Sequence, residues 1–148
     1  SEASGLYGAP FGVTMDRDDD ALRVCPGVGL AHETAAPPAM ISFLSAAWGP
    51  VMAVFEGHAG DEAIRYAGSS GGAASALALY CLEQGGMAGV LHTAARADAP
   101  HLNETVMSTT REELLGRTGS RYAPASPCEG LQRIEEAERP CVFIGKPC

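Results

Sequence analysis

The sequence lacks an excess of basic residues: it carries 10 Lys and Arg against 18 Asp and Glu, for a net charge of −8. Such an acidic balance argues against a nucleic-acid surface and against an anionic membrane surface, although a local positive spot is still compatible with it. The sequence also lacks an apolar run of transmembrane length and the basic-then-apolar start of a signal peptide. We therefore expect no nucleic-acid partner and no transmembrane segment.

A disulfide framework is absent too. The five cysteines are an odd number and are scattered at positions 25, 81, 128, 141 and 148, unlike the paired cysteines of small secreted proteins. We therefore expect reduced thiols in a cytoplasmic protein. Because the sequence has no initiator Met and ends in Gly-Lys-Pro-Cys, we also expect a fragment of a longer protein.

What is present is the composition of a globular domain. The 148 residues are 46% apolar and 19% charged, which is enough to bury a core and is unlike a disordered chain. Residues 1–36 are turn-rich and polar, and a regular apolar pattern begins after them. We predict an irregular segment over 1–36 and an α/β domain over 37–148 that is truncated at its C-terminal end.

Apolar runs bounded by Gly and Pro predict helices alternating with strands. The helices are predicted at 39–48, 70–84, 110 onward and 127–138, and the strands at 51–57, 88–93, 103–109 and 141–145. Residues 57–62 read as a loop, and the helix at 70–84 is apolar on nearly every face, so we expect it to be buried. This order predicts an α/β fold with a mostly parallel or mixed sheet flanked by helices.

Two helix starts in the second half carry capping signatures. Thr110 precedes Glu113 by three residues, so hydroxyl and carboxylate can each accept from a backbone N–H of the first turn. Ser126 and Glu129 repeat this spacing, with Pro127 at the first helical position, where no N–H is needed. We predict a side-chain cap at both.

The turn Ser69-Ser70-Gly71-Gly72 stands at the mouth of the predicted helix 70–84. One interpretation is a capped and tightly packed helix start. The other is an anion site, because the first helical turn has unpaired N–H groups, glycines let a phosphate approach and hydroxyls add donors. Arg65 could supply a permanent charge. The residues alone leave both interpretations open.

The cysteines divide into two groups. Cys81 and Cys141 fall inside a predicted buried helix and strand, where a free thiol packs like a small apolar side chain. Cys128 stands at a predicted helix start, where we expect a structural role, although the helix dipole could make a thiol there more reactive. Cys25 is followed by proline, and Cys148 ends a Gly-Lys-Pro turn after a predicted strand. Cys25 and Cys148 are therefore candidates for metal ligands, and the residues alone do not decide this.

No catalytic residue can be named from the sequence. The four histidines, at positions 32, 58, 92 and 101, share no metal-ligand spacing. No pattern brings a Ser, a His and an Asp together. Each histidine is therefore expected to be solvated or packed in the core.

Four motifs occur in order along the chain: R-x-x-G-S-S-G-G from residue 65, T-T-R-E-E-L from 109, G-S-R-Y from 119 and G-x-P-C from 145. In this combination the sequence from about residue 48 to 148 resembles the N-terminal region of the coenzyme F420 hydrogenase/dehydrogenase β-subunit family. The relatives include reductases that act on hydroxymethyl-chlorophyll and divinyl-chlorophyllide. The Cys-Pro-Gly at 25–27 matches an N-terminal segment of the family more loosely.

The resemblance implies FAD and one or more [4Fe–4S] clusters. It assigns flavin-nucleotide contacts to the turn at 69–72 and to a second motif at 119–122, where Arg121 replaces the usual Lys and changes the hydrogen-bond geometry. Together with Arg65, which could supply a positive charge, these motifs give the full set of cofactor-binding candidates: Arg65, Ser69, Ser70, Gly71, Gly72, Gly119, Ser120, Arg121 and Tyr122. Cys25 and Cys148 match cluster-ligand positions, so 1–36 would be the remnant of an iron–sulfur region and 37–148 the flavin-binding domain.

The implied activity is that of an oxidoreductase subunit that passes electrons between [4Fe–4S] clusters, FAD and an organic acceptor such as coenzyme F420. A redox partner protein or subunit is expected with it. The alternative is a degenerate nucleotide-binding or scaffold module without redox turnover, because the preceding cysteines of a ferredoxin-like run are missing.

Overall fold

The computed structural model describes Arg23, Cys25, Val28, Gly29 and residues 38–146. The chain divides into two compact units, Ser1–Pro50 with Pro147–Cys148 and Val51–Lys146. In the first unit a 3₁₀ turn, Ser42–Leu44, runs into helix α1, Ser45–Trp48. The helix predicted over 39–48 is therefore present but begins later. The predicted boundary near residue 36 stays a prediction.

The second unit is organised around a mixed three-stranded sheet. Strands β1 (Val90–Ala95), β2 (Asn103–Ser108) and β3 (Val142–Phe143) lie in the order β2-β1-β3. β1 and β2 are antiparallel, with Val90 opposite Ser108, and β1 and β3 are parallel, with Val90 opposite Val142. The short connection between β1 and β2 allows the antiparallel pairing, whereas the connection from β2 to β3 contains helices. The predicted α/β class is confirmed.

Helices cover both faces of this sheet. The second unit contains α2 (Glu62–Ala67), α3 (Ala73–Glu83), α4 (Arg111–Leu115) and α5 (Leu131–Glu135), with 3₁₀ turns at Ser70–Gly72 and Pro127–Gly130. Val90 packs with Ile64, Leu79 and Leu114 in the core of one face. On the opposite face Leu91 lies against the turn that ends at Gly130. Successive residues of β1 point to opposite faces, and both of these residues are fully buried.

One predicted strand is wrong, and one helix was not predicted. Residues 51–57 form no strand: Val54 and Phe55 are 72% and 90% exposed, and an apolar run becomes a strand only where a partner strand supplies hydrogen bonds. The loop predicted at 57–62 is present up to Asp61, but helix α2, which was not predicted, begins at Glu62. The Asp61 carboxylate accepts from the backbone N–H groups of Ala63 and Ile64, at 2.8 and 3.2 Å.

Helix α3 is buried on one side only. Ala78 and Leu79 are buried, while Leu77 and Tyr80 are 68% and 64% exposed. The expectation of burial on nearly every face was wrong, because the small sheet and its neighbouring helices cover a single side of the helix. No helix among the described residues is long and apolar enough to cross a membrane.

The two predicted caps behave differently. The Glu113 N–H donates to Thr110 Oγ1 at 3.2 Å, and the Glu113 carboxylate accepts from the Thr109 N–H at 2.8 Å, which lowers the pKa of Glu113. The first cap is confirmed, although the Glu113 carboxylate accepts from the N–H of Thr109, the residue before Thr110. Ser126 makes no side-chain cap bond, so the second is wrong. The Ser126 carbonyl instead accepts from Glu129 N–H and from Thr105 Oγ1.

Candidate functional site

Arg65 lies in the last turn of α2 and is exposed. Its guanidinium carbon is 5.9 Å from the centre of the neighbouring Tyr66 ring, which is 80% exposed. Arg65 forms no ion pair with any described residue, whereas Arg96 pairs with Asp98 and Arg111 pairs with Glu83. Its charge is therefore available to an anion at the end of α2.

The turn at 69–72 has an unusual backbone. Ser70, Gly71 and Gly72 all have positive φ, at 51°, 66° and 70°. A Cβ on Gly72 would overlap the carbonyl oxygen of Ile64, and a Cβ on Gly71 would lie 2.8 Å from the Cβ of His58. The fold alone therefore requires glycine at both positions. A phosphate would approach the exposed serines and the amides, since protein atoms already fill the space beside the two glycines.

Neither serine of the turn caps the following helix. Ser69 precedes the 3₁₀ turn and Gly72 precedes α3, and no side chain accepts from the first turn in either case. The capping interpretation of the two hydroxyls is therefore wrong. The left-handed residues separate Ser69 from the start of α3, and the Ser69 hydroxyl accepts no hydrogen bond from the amides of that helix. Helix α3, 11 residues long, begins without a side-chain cap.

The structure brings the two predicted nucleotide motifs together. The Ser120 N–H donates to Ser69 Oγ at 2.9 Å, across 51 residues of sequence. Next to this bond, the Thr118 hydroxyl lies 3.2 Å from the Leu115 carbonyl oxygen and 3.4 Å from that of Ala67, at the end of α2. The Ser69 O–H itself donates to no described residue. Because a hydroxyl that accepts from an N–H still has its own proton, Ser69 can donate to a ligand.

The other three residues of the second motif, Gly119, Arg121 and Tyr122, have different surroundings. Gly119 has a φ of 102° and open space where a Cβ would stand, and Tyr122 is 98% exposed. Arg121 reaches the connection between β1 and β2, where Nε donates to Asn103 Oδ1 at 2.9 Å. Its Nη2 donates to the carbonyl oxygens of Pro100 and Leu102. Asn103 is not among the predicted site residues, and its only signal in the sequence is an amide at the start of a predicted strand.

A buried histidine lies on the sheet and not among the predicted site residues. His92 is 5% exposed, and its Nε2 is 2.9 Å from Ser108 Oγ. If Nδ1–H donates to the Thr93 carbonyl oxygen at 3.3 Å, Nε2 accepts from the serine hydroxyl. Burial is the main cause that lowers the pKa of His92. The expectation of a core-packed histidine is confirmed for His92. Its hydrogen bond to Ser108 joins strands β1 and β2.

The cysteines do not form a metal centre within the described part of the chain. Cys25 is half-buried in the first unit, and Cys148 lies outside the described residues. Cys81 and Cys141 are half-buried, less than the core positions expected of them, and Cys128 is exposed. Among the residues described, no three or more His, Cys, Asp or Glu side chains are placed to hold a metal ion.

The described arrangement is suited to binding an anion, since it offers exposed hydroxyls, a helix start without a side-chain cap and a cation with no ion-pair partner among the described residues. A comparison with known protein families identifies the family to which this region belongs. Residues 54–133 match the family described as coenzyme F420 hydrogenase/dehydrogenase, beta subunit N-term.

Among solved structures, one of the F420-reducing [NiFe] hydrogenase complex from Methanosarcina barkeri, a xenon derivative, matches with 30% sequence identity and a TM-score of 0.48. The match covers 53% of this chain and 27% of that chain, so this chain spans about a quarter of that relative's length. No curated protein matches.

Proposed function

Because this chain belongs to the coenzyme F420 hydrogenase/dehydrogenase β-subunit family, we propose that it is the FAD-binding part of a redox subunit. The family expected from the motifs is confirmed, and membership implies an oxidoreductase subunit. The finer proposal is electron transfer between [4Fe–4S] clusters, FAD and an organic acceptor such as coenzyme F420. Bound FAD would supply the exchange between two-electron hydride transfer and one-electron transfer.

The hydrogen bond between Ser120 N–H and Ser69 Oγ carries this proposal. It unites two motifs distant in sequence at the start of α3, where the helix amides lack a side-chain cap. Ser69 and Ser70 would donate hydroxyl protons to the FAD pyrophosphate, together with amides of the first turn. Arg65 would supply the charge.

The other proposed contacts surround this point. Gly119 leaves its side of the backbone open, and the exposed ring of Tyr122 is available to an aromatic ligand. Gly71 and Gly72 would contribute through the turn they allow. We do not assign a general acid or base.

For the clusters, the described residues supply no complete ligand set. Cys25 and Cys148 are proposed as ligands on the family resemblance, and a cluster needs four, so further thiolates would have to come from elsewhere. The related protein from Methanosarcina barkeri is part of a hydrogenase complex. We propose a redox partner subunit for this protein as well.

A titration of the purified protein with FAD, followed by flavin fluorescence, tests the site. Ser69→Ala should weaken binding by about 1–3 kcal/mol, because it removes one donor to a charged oxygen and leaves the Ser120 amide without its acceptor. Ser126→Ala is the matched control, since this exposed serine also precedes a helical turn without capping it.

Equal affinities for the parent and Ser69→Ala would reject the assignment of this turn. A visible spectrum after anaerobic purification tests the wider function, because flavin and iron–sulfur clusters both absorb. A colourless protein that takes up no FAD would favour the alternative of a scaffold module.

A further inference from the structure

The guanidinium of Arg121 is already engaged by the protein. Nε donates to the Asn103 side-chain oxygen, and Nη2 donates to two carbonyl oxygens, of Pro100 and of Leu102 at 3.3 Å. These three acceptors are neutral and all lie at the entry to β2. The guanidinium donates to them from two nitrogens held in one plane, a geometry that the single nitrogen of a lysine does not reproduce.

Asn103 also donates hydrogen bonds back to the segment that carries Arg121. Its Nδ2 donates to the carbonyl oxygens of Ala123 at 2.7 Å and Pro124 at 3.1 Å. Asn103 is half-buried and paired with Ala95 in the sheet, so its backbone is fixed. The segment that carries the second motif is therefore attached to the sheet on the C-terminal side of Ser120 by both side chains.

We infer that Arg121 and Asn103 act as a positioning pair for the cofactor site. They hold residues 119–124 against the sheet so that the Ser120 N–H meets Ser69 Oγ, which keeps the Ser69 proton free for the ligand. This inference rests on the proposed FAD site, and it deepens that proposal by replacing a direct contact from Arg121 with an indirect role. Arg65 is then left as the cation that faces the phosphates.

A direct charge contact with FAD and an indirect positioning role predict different effects of salt on FAD affinity. A cation that contacts a pyrophosphate contributes less as ionic strength rises, because the added ions screen the attraction. A residue that positions a neutral hydroxyl should change the affinity by the same factor at every ionic strength. The two arginines of this region can therefore be distinguished by one salt series.

The experiment measures FAD affinity at low and high ionic strength for Arg121→Met, Arg121→Lys, Asn103→Ala and Arg65→Met. We expect both Arg121 variants and the Asn103 variant to bind roughly tenfold more weakly at every ionic strength, as for the loss of a hydrogen bond to a charged group. The lysine should not restore affinity, although it restores the charge. Arg65→Met should weaken binding mainly at low ionic strength.

A second measurement does not depend on FAD. Hydrogen exchange of the Ser120 amide should become faster in Arg121→Met and Asn103→Ala, and the double variant should exchange little faster than either single one. Arg139→Met is the matched control, because this guanidinium also donates to a backbone carbonyl, that of Gly86 at 3.1 Å. It should leave Ser120 exchange and FAD affinity unchanged.

The inference is overturned if Arg121→Lys binds like the parent and Arg121→Met loses affinity only at low ionic strength, since Arg121 would then act by its charge. Unchanged Ser120 exchange in both variants would overturn it as well. If the parent binds no FAD, the proposed function fails, and the exchange measurement still decides whether the pair holds the segment.

Discussion

Replacing Gly72 by alanine should destabilise the protein far more than the same replacement at Gly86. Both glycines have nearly the same left-handed φ, 70° and 67°. A Cβ on Gly86 would meet nothing within 4 Å. On Gly72 it would overlap the Ile64 carbonyl oxygen and lie 2.9 Å from the carbonyl carbon and 3.2 Å from the Cα of Arg65. The obstacle is the backbone of α2, which cannot rotate away.

The magnitude follows from two separate costs. A left-handed alanine costs about 1–2 kcal/mol wherever it stands, so both variants share this term. Forcing an extra carbon into a packed site costs about 1–3 kcal/mol more, and only Gly72 is packed in this way. We therefore expect Gly72→Ala to lower the free energy of unfolding by about 2 kcal/mol more than Gly86→Ala.

Urea denaturation followed by far-UV circular dichroism measures this difference. The two variants should differ in their midpoints while the slope stays that of the parent, because the surface exposed on unfolding is unchanged. Equal losses of stability would refute the idea that Gly72 is required for packing against α2. Glycine at this turn would then be explained by space for a ligand, and FAD affinity would be the measurement to make.

Three further outcomes are expected. Thr110→Ala should cost about 1 kcal/mol of stability by thermal or chemical denaturation, since it removes an N-cap bond, whereas Ser126→Ala should cost less than about 0.5 kcal/mol. Because burial lowers the pKa of His92, its contribution to stability should be complete above about pH 6.5 and be lost progressively as the pH falls below it; an unchanged pH dependence of unfolding in His92→Gln would contradict this. If Cys148 is a cluster ligand, Cys148→Ser should lower the iron content of the complete protein purified anaerobically while Cys141→Ser keeps it, and the opposite pattern would exclude Cys148.

Local signals in the sequence were sufficient for several elements. The apolar run before Thr93 and the run after Asn103 predicted β1 and β2 to within two residues. Thr110 and Glu113 predicted the start of α4, because a cap depends on residues within one turn of each other. The four ordered motifs also led to the correct family.

Contacts between distant residues decided the rest. Residues 51–57 have the composition of a strand, yet strand formation depends on a partner that no local pattern reveals. Ser69 had the sequence signature of a helix cap, but the left-handed turn after it directs its hydroxyl to an amide 51 residues away. The sequence alone determined that a hydroxyl-rich turn and a cation stand before an apolar helix. Only the tertiary structure determined that the Arg121 guanidinium binds neutral oxygens at the entry to β2, because hydrogen-bond partners are chosen by proximity in space and not along the chain.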